Sequence, residues 1–244
     1  MPDLKRLAAI LTAAALSLTM SAAALAAEPD TGFADVEAGA WYADAAVYCR
    51  DNGLMSGTSD AAFSPDANMT RAMLATVLYR LAGSPSLEGE TLGYPFADVP
   101  GDSWYADGVY WARLEGIADG YGDNRFGPND PVTREQLAAI LWRYAGSPAA
   151  EAGWAFADES AIASWAAPAV DWAQASGYVN GVGNDRFDPS GTATRAQMAV
   201  ILMRYAESQA EPAPEPEPTT EPEAEADVLV AYFSATGNTE NIAE

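Results

Sequence analysis

The chain has 244 residues, 49% of them hydrophobic, and a formal net charge of −23. This length suffices to bury one or two cores, while the charge disfavours nucleic acid and anionic membranes as partners because their phosphates would be repelled. The sequence has no histidine, which excludes Ser-His-Asp and Cys-His catalysis and histidine-ligated zinc in this chain.

Residues 1–26 have the features of an export signal peptide. Lys5 and Arg6 precede an apolar stretch at 7–25, and Ala24 and Ala26 supply the small residues of a cleavage pattern. We expect cleavage after Ala26, the alternative being a retained membrane anchor. After cleavage we expect no contact with the membrane.

Three copies of one unit occupy residues 33–83, 96–146 and 156–206. Each copy begins with Phe-Ala-Asp and then carries a Trp, and from that Trp onward two glycines, a Phe-x-Pro and a Thr-Arg pair follow at the same spacings. The repeated tryptophans are Trp41, Trp104 and Trp165, and the arginines of the Thr-Arg pairs are Arg71, Arg134 and Arg195. Such self-similarity indicates a repeat architecture in which neighbouring units share a core.

Each unit is predicted to fold as a helix, a glycine-bearing loop and a second helix. In the first helix of the second copy, Trp104, Gly108, Trp111 and Ala112 recur at the spacing of one helical face, and Gly116 is placed to end that helix. On this pattern we expect the three repeated tryptophans to pack in the core. A rim position in contact with a ligand is the alternative.

The second helix of each unit is predicted to begin at the Thr, a favoured N-cap residue. Thr133 with Gln136, and Thr194 with Gln197, complete capping boxes, whereas the first copy has Met73 at the corresponding position. The predicted buried stripe of this helix in the second copy is Leu137, Ile140, Leu141 and Tyr144.

The chain has a single cysteine, so it cannot form an internal disulfide bond. Cys49 stands where the other copies have Ala112 and Ala173. We therefore expect a small, buried helix position and no redox or catalytic role.

Arg71, Arg134 and Arg195 each follow an N-cap, where the positive end of the helix dipole disfavours a cation. Because this unfavourable placement of a cation occurs in all three copies, we expect each arginine to have a partner that compensates for it. One interpretation is a receptor for a carboxylate or phosphate, built from the guanidinium group and unpaired backbone N–H groups of the helix N-terminus. The other is a salt bridge to the repeated Asp35, Asp98 and Asp158.

These motifs resemble S-layer homology domains, which occur as triplets at one end of bacterial surface proteins. The resemblance covers all three copies. It implies a mainly α, pseudo-threefold bundle whose grooves bind secondary cell-wall polysaccharide, commonly through a pyruvate ketal. By match to the family's T-R-A-E motif, Arg71, Arg134 and Arg195 would contact that carboxylate. The implied location is the cell wall or S-layer of an exported protein.

The chain departs from the family where the motif ends in Glu, because it has TRAM, TREQ and TRAQ. Met73 cannot serve the cap, so the groove associated with the first copy departs furthest. The loops 119–130 and 180–190 lack the alternating acids and terminal Glu of an EF-hand, and we expect no metal site there.

Residues 207–227 alternate Glu and Pro, a composition that cannot form a core and predicts a disordered, extended spacer. Residues 228–244 then combine a short apolar strand pattern, a Ser/Thr/Gly/Asn loop and a helix start, which is an arrangement suited to holding a phosphate. This stretch resembles the first strand and FMN-phosphate loop of the flavodoxin family. By that resemblance the phosphate-binding residues are Ser234, Thr236, Gly237, Asn238 and Thr239.

Two functions from different classes follow. In the first, the chain is a non-catalytic module that anchors an exported protein to an anionic, pyruvylated wall polysaccharide through Arg71, Arg134, Arg195 and the three repeated tryptophans. In the second, it is the amino-terminal part of a wall-tethered flavin oxidoreductase or electron carrier. We expect the flavodoxin-like domain to be truncated here, with no cofactor bound by this chain and FMN bound by a full-length parent.

Overall fold

The computed structural model describes residues 31–90, 96–149 and 156–210. These residues contain six α-helices and no β-strand: α1 (Ala43–Asp51), α2 (Arg71–Leu81), α3 (Ala106–Leu114), α4 (Arg134–Tyr144), α5 (Ala167–Ala175) and α6 (Arg195–Gln209). A short 3-10 helix covers Glu159–Ala161. The predicted mainly helical fold is therefore confirmed for this part of the chain. The predicted signal peptide and the flavodoxin-like start, with its residues 234–239, lie outside the described residues.

The helix ends follow the local signals in the sequence. Thr70, Thr133 and Thr194 are the N-caps of α2, α4 and α6. The capping boxes are formed at α4 and α6, as predicted, whereas at α2 the Thr70 hydroxyl accepts a bond from Met73 without a reciprocal bond. Gly116 follows α3 with φ of +69°, a left-handed conformation that glycine adopts at little cost.

Each second helix packs against the first helix of the following copy. Thus α2 packs on α3, α4 packs on α5, and α6 returns to α1. The ring closes between the two ends of the repeat region, where the Cys49 thiol of α1 donates to the Ala199 carbonyl of α6. The three units consequently form one core, and no unit completes its own core alone.

Three backbone hydrogen bonds mark the pseudo-threefold axis. The N–H of Met69 donates to Ala193, that of Ala193 donates to Val132, and that of Val132 donates back to Met69, at 2.8, 2.9 and 2.9 Å. All three residues are buried and occupy equivalent positions just before the N-caps. This closed ring brings the N-termini of α2, α4 and α6 together.

The core contains the Phe of each Phe-x-Pro motif, and Phe63, Phe126 and Phe187 are all fully buried. Cys49 is also fully buried, as predicted, and burial raises the pKa of its thiol to about 12. A neutral, enclosed thiol of this kind is unreactive at neutral pH.

Within the described residues, no helix is long and apolar enough to cross a membrane. The last helix runs to Gln209, three residues into the stretch predicted as spacer.

Candidate functional site

The three repeated arginines bind the glycine-bearing loop of the following copy. The Nε of Arg71 donates to the Phe126 carbonyl at 2.8 Å, and its Nη2 donates to the Asp119 carbonyl at 2.6 Å. The same two bonds recur at the other two contacts between copies, and we call each such contact a joint. Arg134 donates to the Phe187 and Asn180 carbonyls at 2.6 and 2.9 Å. Arg195 donates to the Phe63 and Ser56 carbonyls at 2.7 and 2.6 Å. Each arginine therefore joins two repeats.

The guanidinium groups are buried against aromatic rings. Arg71, Arg134 and Arg195 lie 4.6, 5.0 and 4.7 Å from the centroids of Phe126, Phe187 and Phe63, within the range of a cation–π contact. All three side chains are buried, and this burial lowers the pKa of each guanidinium, while nearby carboxylates oppose the shift. Arginine nonetheless stays charged at any physiological pH.

The repeated aspartates bind the same loops through backbone N–H groups. In the third copy, the Asp158 carboxylate accepts bonds from Phe187 and Asp188 at 2.8 and 2.9 Å. Asp35 and Asp98 make the equivalent pairs of bonds in their own copies. Partial burial alone would raise the pKa of these carboxyls, but the backbone donors outweigh it and the pKa of each is lowered. Each loop Phe is thus bound by an acid at its N–H and by an arginine at its carbonyl.

The salt-bridge interpretation of the three arginines is wrong. The ion pairs of Asp98 and Asp158 are made instead by Arg125 and Arg186, at 3.9 and 3.4 Å. Among the described residues, the side-chain hydrogen bonds of the repeated arginines go to carbonyl groups, and the carboxylates act on them only from beyond ion-pair distance. Backbone carbonyls compensate the buried cation and keep the carboxylates available for the loop N–H groups.

The unpaired helix N-terminus proposed as part of an anion receptor is also a wrong prediction. The N–H groups of Arg71 and Ala72 donate to the Asp130 and Pro128 carbonyls of the next copy, both at 3.0 Å. The third amide of α2 donates to the Thr70 hydroxyl. Equivalent bonds satisfy α4 and α6. Because the joint between copies uses these donors, an anion can be recognised here only through side chains.

The prediction that the repeated tryptophans pack in the core is wrong as well. Trp41, Trp104 and Trp165 are 66%, 64% and 50% exposed. Each lies two residues before its helix begins, so the helical spacing that joins Trp104 to Gly108 does not apply there. The rings of Trp41 and Trp104 instead pack edge-on against the following tyrosines, with centroids 5.3 and 5.1 Å apart. Their exposure agrees with the alternative, a rim position, and contact with a ligand stays a prediction.

One cleft combines residues from all three copies and has a volume of about 220 Å³. Arg71 of the first copy lies at it, together with residues 118–121, Gln136 and Arg143 of the second copy and Trp165 of the third. The cleft thus brings a predicted arginine and a predicted tryptophan together, although their order along the chain gives no sign that they meet. Sequence reasoning missed Tyr121, Gln136 and Arg143 as wall residues. The aromatic residue directly after the second loop glycine was the available signal for Tyr121.

The repeat register places equivalent residues at the contacts of Arg134 and Arg195, where we expect two further clefts with the same plan. Arg134 and Arg195 take the place of Arg71 and bind the equivalent loop carbonyls. In the second cleft the wall positions fall on Val182, Gln197, Arg204 and Trp41. In the third they fall on Thr58, Met73, Arg80 and Trp104. The three sets of positions share their arginine and tryptophan but differ in the residues between them.

Residues 32–73, 95–138 and 155–199 each match the protein-family model described as S-layer homology domain. The amylopullulanase of Thermoanaerobacterium thermosulfurigenes is 33% identical over 182 residues, covering 72% of this chain and 9% of that protein. The surface-layer 125 kDa protein of Lysinibacillus sphaericus is 33% identical over 135 residues, covering 54% and 11%. The cellulosome-anchoring protein of Acetivibrio thermocellus is 24% identical over 158 residues, covering 63% and 35%. The chain therefore spans a minor part of each of these relatives.

Proposed function

Because the chain belongs to the S-layer homology domain family and its relatives include surface-layer and cell surface proteins, we propose that it anchors an exported protein to the bacterial cell wall. We further propose that it binds an anionic, pyruvylated secondary cell-wall polysaccharide in the clefts between its repeats. The relatives whose names describe surface-layer and anchoring proteins agree with this role.

The observation that carries the proposal is a buried cation at a cleft with an exposed aromatic wall. The two carbonyls take one N–H from Nε and one from Nη2, which leaves three of the five N–H groups of the Arg71 guanidinium for a ligand. A carboxylate is the group that such a fork binds best. In a chain of net charge −23, the cleft is one of the places where an anion meets a localised positive charge.

The walls suit a sugar. Trp165 and Tyr121 offer exposed rings, on which the apolar face of a sugar can pack, and the Gln136 amide and Arg143 can bind hydroxyl groups. Gln136 accepts a backbone bond through its carbonyl oxygen, so its amide nitrogen is the group that would donate to a ligand. A carboxylated saccharide would therefore meet a donor for its charge and surfaces for its ring.

Binding to purified cell walls, measured by co-sedimentation, tests this proposal. Arginine variants are unsuitable because these side chains hold the repeats together. The informative variant replaces Trp41, Trp104 and Trp165 with Ala, since all three are exposed. We expect its retention by the wall to fall at least about tenfold, as for the loss of several aromatic contacts.

The matched control is Tyr110→Ala, an aromatic substitution on α3 away from the cleft walls. Thermal unfolding of all variants shows whether the fold persists. A second arm uses walls from which the carboxylated polysaccharide has been extracted, where the parent chain should not sediment. Undiminished retention of the folded triple variant, or of the parent on extracted walls, would contradict the proposal.

The sequence motif at 234–239 supports a second candidate function, FMN-dependent electron transfer by a longer protein of which this chain is part. We expect the 244-residue chain not to quench flavin fluorescence, because the loops that would enclose the ring are not among its residues. Quenching by this chain would show that residues 228–244 suffice to bind FMN.

A further inference from the structure

The second copy differs from the other two at a pair of coupled loop positions. It has Tyr121 and Gly127, where the first copy has Thr58 and Ser64 and the third has Val182 and Asp188. In the first copy the two hydroxyl groups are hydrogen bonded at 2.6 Å. A large aromatic side chain is therefore accompanied, in the same copy, by the loss of a side chain at the facing position.

The reason for the coupling is steric. A Cβ atom added at Gly127 would lie 2.5 Å from Cε2 of Tyr121, far inside contact distance, and would also collide with the Asp130 carboxylate. Backbone conformation does not demand this glycine, because Ser64 and Asp188 adopt φ of +56° at the equivalent positions. Gly127 thus makes room for both the Tyr121 ring and the Asp130 carboxylate.

Tyr121 is consequently held in one position although half of it is exposed. Its ring centroid lies 4.7 Å from the Arg71 guanidinium carbon, within the range of a cation–π contact. Its relative exposure is 52%, so a ring surface remains accessible at the cleft that Trp165 also lines. A rigid, exposed aromatic ring is a contact surface that loses little conformational freedom on binding.

The other two clefts lack this second aromatic wall, since Val182 and Thr58 hold the corresponding position. If charge alone decided the affinity for a carboxylate, the order of the three clefts would differ from the order given by their aromatic walls. Arg71 has Asp130 and Asp98 as neighbouring acids and Arg134 has Asp188 and Asp158, whereas the acid near Arg195 is Asp35. The Arg195 cleft would therefore be the strongest if attraction for a carboxylate decided affinity.

Building on the proposed wall anchoring, we propose that Tyr121 and Trp165 both contact the sugar ring that bears the carboxylate, so that the Arg71 cleft is the dominant polymer site of this chain. Tyr121 is the residue that sets the rank of this cleft above the other two. The Arg134 and Arg195 clefts bind the same anionic group with one aromatic wall each.

The probe for the test is a methyl hexopyranoside carrying a pyruvate ketal, and a second probe is the dimethyl ketal of pyruvate, which has the same carboxylate without a sugar ring. Both are titrated calorimetrically into the exported chain. Tyr121→Thr copies the residue of the first copy and should weaken binding of the sugar probe by about tenfold, as for loss of one well-placed aromatic contact. It should leave the ring-free probe within about twofold.

Two further variants separate a ligand contact from a structural effect. Gly127→Ser retains Tyr121 but displaces its ring, so it should lose nearly as much affinity for the sugar probe as Tyr121→Thr. Val182→Thr makes a similar wall change in the Arg134 cleft and should change affinity by less than about twofold. Thermal unfolding confirms that all three variants fold.

The outcomes divide clearly. If the parent chain binds neither probe nor purified walls, the proposed function fails and this inference fails with it. If the parent binds but folded Tyr121→Thr binds the sugar probe equally well, this inference alone is overturned. It is also overturned if Trp104→Ala, in the Arg195 cleft, costs more affinity than Trp165→Ala, because charge would then decide the ranking.

Discussion

The three joints between repeats are nearly identical, whereas the wall positions beside them differ from copy to copy. At every joint an arginine binds a Phe carbonyl at 2.6 to 2.8 Å, and an aspartate binds the N–H of the same Phe. At the equivalent cleft position the side chain is Tyr121, Val182 or Thr58. The repeated arginines, aspartates and phenylalanines therefore hold the copies together, whereas this cleft position differs in every copy.

The difference has a physical origin. A buried guanidinium needs partners at fixed distances and directions, and an unmet carbonyl or cation costs several times the gain from one bond. A cleft wall that faces solvent has no such requirement. Strict repetition of the arginines and aspartates consequently reflects their role in folding, while variation at the walls is where binding preferences between copies can arise.

Arg195→Ala tests the structural role of a joint and should have the largest effect. It leaves the Phe63 and Ser56 carbonyls without their donor and removes a buried side chain, and we expect a loss of about 2–4 kcal/mol in the free energy of unfolding. Chemical denaturation measures this loss. Arg204→Ala, whose bond to Gly177 is exposed, is the control and should cost less than about 1 kcal/mol. Equal losses would mean that the joints and the surface are energetically alike.

Gly108→Ala probes the contact between α2 and α3. A Cβ at Gly108 would lie 2.8 Å from Cα of Thr76, a backbone atom that cannot move aside easily. Overpacking of this kind should lower the free energy of unfolding by about 1–3 kcal/mol. Alanine is favoured over glycine in a helix by about 1 kcal/mol, so a stabilised variant would show that the helices can separate at no cost.

Acidification should weaken the joints through the aspartates. The folded-state pKa of Asp158 is lowered from its ordinary 3.8, so its stabilising effect is complete above about pH 4 and is lost as the pH falls through the lower folded-state pKa. We expect Asp158→Asn to cost about 1–2 kcal/mol at neutral pH, since the side chain is 12% exposed and accepts two backbone bonds.

The difference in free energy of unfolding between the parent and Asp158→Asn should shrink as the pH is lowered below about 4, which thermal unfolding across pH would detect. Comparing the two proteins at each pH cancels the general effect of neutralising so acidic a chain. A difference that stays constant down to low pH would show that the carboxylate charge plays no part in the joint.

The capping residues should give the smallest effect. Gln197→Met copies the first repeat and removes the bond that the Gln197 side chain accepts from Thr194, at a cost of about 0.5–1 kcal/mol. Thermal unfolding compares it with the reciprocal change, Met73→Gln. This variant gains a capping-box bond but loses the packing of Met73 against the core, so its stability should be unchanged or slightly higher. A loss of unfolding free energy well above this range for Gln197→Met would show that Gln197 also stabilises the contact between copies.

Local features of the fold could be predicted from the sequence. The Thr N-caps, the two capping boxes, the left-handed Gly116 and the small buried position of Cys49 all follow from short-range backbone geometry and from the register of the repeats. The exposed tryptophans were predicted wrongly because a helical period was extended two residues beyond the start of the helix. That error came from the uncertain helix boundary, since the residues on the rest of the face are buried.

The sequence by itself determined that three equivalent units exist, where the second helix of each unit begins and which positions must be small. Only the tertiary structure decided the partners of the arginines and the composition of the clefts. Arg195 binds the carbonyl of Ser56, 139 residues away, because α6 closes the ring on α1. Near-identical repeats carry no local signal of which copy packs on which. The cleft that joins Arg71, Tyr121 and Trp165 therefore arises from the closure of the ring, and its aromatic walls meet only in three dimensions.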